Sequence, residues 1–340
     1  QHVQLQDLPI TRKPELMAQF DQWLTDRALT EKKAVAHMAD MDMLGIPLGN
    51  CIVVRTSGTT GEPLIATIPA SVLESKAATT ARMDKTIRRK ITQFNRQLQK
   101  KGGIRVVTTG GNGHFAGNSM AKFASQQQRV SAASDVFIGA EEPIESIVAQ
   151  LNKIATVTAM TTYPSMLTLL VREQDAGRLH IDLNWVQLGG ETLTDDLREK
   201  ASKAFPSIYI QNTYASSECL FLGNECQHGR MHLMEDWVIL EAINEHEQAV
   251  ADGTVSDACL LTFMGNELQP FIRYKMGDRI QFFTDPCPCG SPFRSFTVEG
   301  RQATILHFGD VALSALVFDL EHDQAARVQL VQVAERELEV

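Results

Sequence analysis

The spacing of apolar positions changes several times along the chain, and each change predicts a different element. Over residues 14–39 they fall at Leu16, Phe20, Leu24 and Leu29 behind an early proline, which predicts helix. A turn over 45–50 follows. Two short apolar runs, Cys51-Ile52-Val53-Val54 and Leu64-Ile65-Ala66-Thr67-Ile68, then flank the polar stretch Arg55–Pro63, RTSGTTGEP, and predict a hairpin around it. Residues 72–101 predict a long polar helix stopped by Gly102-Gly103. The Arg88-Arg89-Lys90 triplet on it reads as a solvated face.

From residue 104 onward, strand and helix patterns alternate. Strands are expected at 104–109, 134–139, 156–162, 185–188 and 208–212, with helices at 119–128, 143–151, 165–176 and 194–204 between them. That alternation predicts an α/β fold with a doubly wound parallel sheet. In such a sheet, ligands sit beyond the carboxyl ends of the strands. Four distinctive polar segments follow successive strands: Gly110-Gly111-Asn112-Gly113-His114-Phe115, Tyr163-Pro164-Ser165, Gly189-Gly190-Glu191 and Tyr214-Ala215-Ser216-Ser217-Glu218. Right-handed crossovers bring all four to one edge. After Cys219 the pattern becomes strands and turns (236–243, 258–263, 271–274, 279–283, 295–298), which predicts a small β-barrel-like layer. Gly300-Arg301 is the expected boundary to a short α/β tail with a strand over 328–333.

With 340 residues and 44% hydrophobic content, the chain can bury a large core and is expected to divide into more than one domain. Its net charge of −9 argues against nucleic acid or an anionic membrane as the main partner. Nucleotide binding would then need local positive charge, for which Arg55, Arg273, Lys275 and Arg301 are candidates. No apolar run reaches spanning length, and six cysteines in a chain this long do not form a disulfide scaffold, so a cytoplasmic location is expected.

The hairpin tip offers hydroxyls at Thr56, Ser57, Thr59 and Thr60 and glycines at Gly58 and Gly61. Hydroxyls donate to phosphate oxygens, and glycine lets backbone N–H groups approach them. It is not a Walker loop, since no lysine follows the second glycine. A ligand-free polar turn is the bland alternative. TSGTTGEP resembles the phosphate-binding motif of the ANL superfamily of AMP-forming adenylating enzymes. Across Leu8 to the end, the chain is most similar to the phenylacetate–CoA ligase and CapK-like branch, although Leu64 stands where many relatives outside that branch carry lysine.

The resemblance implies roles for particular residues. Gly189-Gly190-Glu191 resembles the adenine-side loop; otherwise it is a strand-to-helix turn. Tyr214 to Glu218 is similar to Y-G-x-T-E, which implies that Tyr214 stacks on adenine, Ser217 bonds the α-phosphate and Glu218 holds Mg²⁺, a hard cation that suits a carboxylate. Arg273 to Asp278 resembles Y-R-T-G-D, which makes Asp278 the ribose ligand. Gly300-Arg301 resembles the hinge G-R, with Arg301 reaching ribose or phosphate, but Ala303 replaces the hinge aspartate. His114 and Phe115 resemble a G-H-F-A-G segment and, with Tyr163, would line the acid pocket, a structural histidine being the alternative for His114. Cys226, His232, Cys287 and Cys289, with His228 as rival, make a plausible closed zinc site.

The implied division is an N-terminal adenylation domain over 1–300, with its β layer at about 219–300, and a partial C-terminal domain over 301–340. No lysine follows Lys275, and the family's adenylation lysine is expected beyond Val340; further residues are expected at both ends. The implied function is ATP-dependent, AMP-forming activation of a carboxylic acid, aryl or phenylacetate-like, followed by thioester formation with CoA. Loading of a carrier protein or other acceptor, and a catalytically impaired nucleotide-binding homologue, are the rivals. A homodimer is an open assembly.

Overall fold

The computed structural model describes residues 3–56, 63–74, 82–83, 85–101, 103–109, 113–126, 135–154, 156–263, 265–301, 305–308, 311–314, 331–334 and 337–339. The N-terminal region carries the short helices α1 (Lys13–Met17), α2 (Phe20–Trp23) and α3 (Glu31–Met38), in place of one continuous helix. The apolar spacing is genuine, for Phe20, Leu24, Leu29 and Ala34 are buried against Cys51, Val53 and Ile65. Continuity is broken by tertiary bonds. Thr25 N–H donates to the Leu268 carbonyl, and Thr30 accepts from Lys33 N–H to cap α3 anew.

Strands β1 (Cys51–Arg55) and β2 (Ile65–Pro69) form the expected antiparallel hairpin, with Arg55 opposite Ile65. Helices α4 (Ala70–Glu74) and α5 (Lys85–Lys101) follow. The alternating part runs β3 (Ile104–Thr108), α6 (Ala116–Gln126), β4 (Asp135–Phe137), α7 (Ile144–Lys153), β5 (Val157–Thr162), α8 (Pro164–Asp175), β6 (Trp185–Leu188), α9 (Asp195–Ala204) and β7 (Tyr209–Tyr214). Its strands lie in parallel register, β7-β6-β5-β3-β4. Val106, Met160, Val186 and Leu188 from the strands pack with Ile147, Leu151, Leu167 and Leu170 from the helices, the continuous apolar burial that parallel strands require. Helix α9 starts where Thr194 accepts from Leu197 N–H and Asp195 and Asp196 occupy the dipole-favoured first turn.

Beyond β7 the same nine-stranded sheet turns antiparallel, in the order β7-β8-β9-β14-β13, through β8 (Gly223–Glu225), β9 (Met231–Leu233), β13 (Asp278–Phe282) and β14 (Ser295–Arg301). The strands β10 (Ile239–Ile243), β11 (Ala258–Phe263) and β12 (Phe271–Met276) form a separate antiparallel sheet. The expected β layer is therefore shared between an extension of the main sheet and this second sheet. Phe263, Phe271, Phe282 and Phe296 fill the core between them together with Ile52, Val54 and Leu64 of the hairpin. Two further hairpins pair Ile305–Phe308 with Val311–Ser314 and Val331–Ala334 with Glu337–Glu339.

Candidate functional site

A flat sheet would hold β13, four places from β7, about 19 Å away. The antiparallel half instead curls, and the Tyr214 hydroxyl at the end of β7 donates to Asp278 Oδ2 at the start of β13, at 2.9 Å. Asp278 pairs in register with Arg301, the last residue of β14, whose Nε donates to Asp278 Oδ1 at 2.9 Å. Asp278 is 5% exposed, while half of the Arg301 side chain faces solvent. The carboxylate is thus fixed on both oxygens. Burial of the Tyr214 phenol, with Cys259 and Asp278 beside it, raises its pKa well above the usual range, so it stays a donor.

Glu218 belongs to the same cluster. Burial raises its pKa, Asp278 adds to the rise, and Ser216 and Arg301 oppose it. The turn that presents Glu218 is closed by Ser216, whose N–H donates to the Cys219 carbonyl and whose Oγ accepts from Cys219 N–H at 3.1 Å. Tyr274 reaches Glu218 from β12, and burial and that carboxylate raise the Tyr274 phenol. A half-buried carboxylate near a second carboxylate, with one guanidinium to balance both, suits a hard cation such as Mg²⁺. Ser217 lies between these groups in sequence and is half-buried.

The Gly189-Gly190-Glu191 turn is pressed against its neighbours. Gly190 has φ +80° and a Cβ there would lie 3.1 Å from the Tyr163 ring, while one at Gly189 would lie 3.1 Å from the Thr213 carbonyl. Glu191 accepts from Ser165 N–H at 2.8 Å and from Ser165 Oγ at 2.9 Å, an anion at the start of α8. These three residues bind the ends of β6 and β7 to Tyr163.

Of the hydroxyl hairpin, Ser57, Gly58, Thr59, Thr60 and Gly61 lie outside the described residues, as does Ala303. Thr56 closes the hairpin base: its N–H donates to the Leu64 carbonyl, and its hydroxyl accepts from Leu64 N–H at 2.9 Å. Arg55 lies over the Phe115 ring at 5.1 Å, and its N–H donates to the His114 carbonyl. His114 is buried, with Nε2 3.0 Å from the Asp40 carbonyl. Burial holds its pKa below 6.5, with His37 and Arg55 adding to the fall. Of the other candidate cations, Arg273 pairs with Glu241 and Lys275 with Glu247, so Arg301 is the one seated at Asp278.

At the opposite end of the β13–β14 hairpin stands the expected metal set. The ligand atoms of Cys226, His232, Cys287 and Cys289 all lie within 4.8 Å of one another. Cys226 Sγ and Cys287 Sγ are 3.6 Å apart, close to the ~3.8 Å edge of a tetrahedron with Zn–S bonds of about 2.3 Å. His232 Nδ1 bonds the Phe293 carbonyl, which turns Nε2 toward Cys289 Sγ at 3.3 Å. His228 and Ser291 donate backbone N–H groups to Cys226 and Cys289 sulfurs, so the rival histidine serves through its main chain. The residues fit zinc, and they clip β8 and β9 to the loop between β13 and β14.

Sequence reasoning missed one buried polar device. Gln269 and Asn266 act as a surrogate strand along β2: Thr67 N–H donates to Gln269 Oε1, Gln269 Nε2 to the Ile65 carbonyl, and Asn266 Nδ2 to the Thr67 carbonyl. An amide pair followed by Pro270 carries no signal that would have revealed it.

No protein-family model matches the chain, and no curated protein matches it. Solved structures do, and they show the fold: it is that of a CoA ligase which passes through an acyl-adenylate state. In particular it is similar to 2-hydroxyisobutyryl-CoA ligase in the postadenylation state with R3-HIB-AMP, at TM-score 0.63 and 16% identity over 91% of this chain. An open form of that ligase with 2-HIB-AMP and CoA gives TM-score 0.60 at 16% identity, covering 90% of this chain and 67% of the ligase. The chain spans 61% of the first structure's length. Among the described residues, no helix is long and apolar enough to cross a membrane.

Proposed function

We propose that this chain is the adenylating part of an acid–thiol ligase. It would activate a carboxylic acid with ATP to an acyl-adenylate and pyrophosphate, then pass the acyl group to a thiol, CoA in the simplest form. The observation that carries the reading is the constellation of Tyr214, Glu218, Asp278 and Arg301 on one rim, held by the hydrogen bonds to both Asp278 oxygens.

A carboxylate held on two sides keeps free lone pairs for the paired hydroxyls of a ribose. Tyr214 fixes it from one side and would offer its ring to a base, while the half-exposed Arg301 would meet ribose or phosphate. Gly189, Gly190 and Glu191 bring backbone close to the same rim. Ser217 and the hydroxyls of Thr56, Ser57, Thr59 and Thr60, with the amides of Gly58 and Gly61, would bind the phosphates. In-line attack by the acid carboxylate on the α-phosphorus needs no side-chain nucleophile; these residues orient the two reactants and offset charge. Glu218 would hold Mg²⁺, which supplies neutralisation of the triphosphate when bound. Phe115 and Tyr163, with His114 behind them, would bound the acid, which the sequence resemblance suggests is aryl or phenylacetate-like. Cys226, His232, Cys287 and Cys289 would hold a structural zinc, closed by four protein ligands and remote from the chemistry.

The test is AMP release from ATP by the full-length protein with CoA and a panel of aryl and aliphatic acids. Acid-dependent AMP formation supports the reading. Tight ATP binding without AMP from any acid would make the chain a nucleotide-binding homologue instead.

A further inference from the structure

Helix α5 concentrates positive charge. Between Lys85 and Lys101 it carries seven Lys and Arg residues and no acidic one, in a chain of net charge −9. One face is committed to the interior: Ile87 is buried, Phe94 stacks on Trp185 at 5.1 Å, and Lys90 Nζ sits 4.5 Å over the Tyr209 ring. At about 100° per residue, Lys85, Arg89, Arg96 and Lys100 fall on the opposite side, and all four are exposed. With Arg88, Thr92 and Gln93 they make up one continuous polar helix face.

Three features make this more than a solvated face. Lys85–Arg89 and Arg96–Lys100 are like-charged i,i+4 pairs, which repel. Lys85 and Arg89 occupy the first turns, where the helix dipole favours anions. Among the described residues, no carboxylate lies within ion-pair distance of Lys85, Arg89, Arg96 or Lys100. An anionic occupant would relieve all three at once.

We propose that this face of α5 docks an acidic α-helix of a partner protein. The cationic stripe spans about 22 Å along a straight helix, which matches one helix of similar length. A single-stranded nucleic acid would want aromatic rings for its bases to stack on, and the stripe offers none, in a chain whose net charge of −9 disfavours a long polyanion. An anionic bilayer would want apolar side chains among the cations, and the face has Thr92 and Gln93 instead. The proposal rests on α5 alone and stands apart from the adenylation reading.

The experiment measures fluorescence anisotropy of a labelled helical peptide bearing glutamates on one face, against the full chain. Controls are a peptide of the same composition with the glutamates scattered, a single-stranded RNA of similar length, and phosphatidylcholine vesicles containing phosphatidylserine. The one-faced peptide should bind at least about tenfold tighter than the scattered one, weaken as salt rises, and lose at least about tenfold on Arg89→Glu with Arg96→Glu. Should that double reversal fail to fold, Arg89→Gln with Arg96→Gln should give a smaller loss in the same direction. No binding, equal affinity for the two peptides, wild-type affinity in the folded variants, or tighter capture of RNA or vesicles would overturn the proposal.

Discussion

The hydroxyl of Tyr214 and the carboxylate of Asp278 lie 64 residues apart in sequence and 2.9 Å apart in space. That bond closes the curl of the antiparallel half-sheet onto the end of the parallel half, and it fixes the position of the Asp278 carboxylate. Removing the hydroxyl by Tyr214→Phe deletes a hydrogen bond to a charged acceptor, worth about 1.5–3 kcal/mol. We expect AMP affinity, measured by calorimetry, to fall roughly tenfold in this variant while the fold persists. Unchanged affinity would mean that Asp278 is held well enough by Arg301 alone.

Zinc should copurify at about one ion per chain, and Cys289→Ser should lose it together with several degrees of melting temperature. Elemental analysis and a thermal scan check both. A metal-free wild type, unaffected by chelator, would show that the four residues pack without an ion.

His114 makes a signed prediction for pH. Its folded-state pKa lies below 6.5, so below that pH the unfolded chain binds more protons than the folded one. Its contribution to stability is present above about pH 6.5 and is lost as pH falls through the depressed folded value. Urea midpoints between about pH 7.5 and 5 should therefore fall more steeply in the wild type than in His114→Asn. Nearby His37, Asp40 and Arg55 remain in both proteins, so the difference between the slopes isolates the one imidazole. Parallel slopes would contradict the assignment.

Gln269→Leu should cost about 2–4 kcal/mol in urea unfolding, because it strands the buried Thr67 N–H and Ile65 carbonyl. A loss below about 1 kcal/mol would mean that another group or water takes over those bonds.

Much of this was legible in the chain. The parallel strands announced themselves through continuous apolar runs with helices between, and the metal set through residue type and spacing. Other parts depended on contacts that only folding creates. The N-terminal helix breaks because Trp23 Nε1 and Thr25 bond carbonyls at 267–270, far along the sequence. The strands Gly223–Glu225 and Met231–Leu233 are too short for a period to show. His114 read equally well as a ligand or a structural residue, and its contact with the Asp40 carbonyl could not be foreseen from a sequence distance of 74 residues. The proximity of Tyr214 to Asp278 was implied by resemblance but could not follow from spacing, since it depends on how strongly the sheet curls.

The most direct measurement is acid-dependent exchange of labelled pyrophosphate into ATP by the full-length protein, wild type and Asp278→Ala, across aryl and aliphatic acids. Label should enter ATP with at least one acid in the wild type and fall by at least about a hundredfold in the variant. Exchange that persists undiminished in Asp278→Ala, or that no acid elicits from the wild type, would contradict a nucleotide seated at Asp278 and activated there.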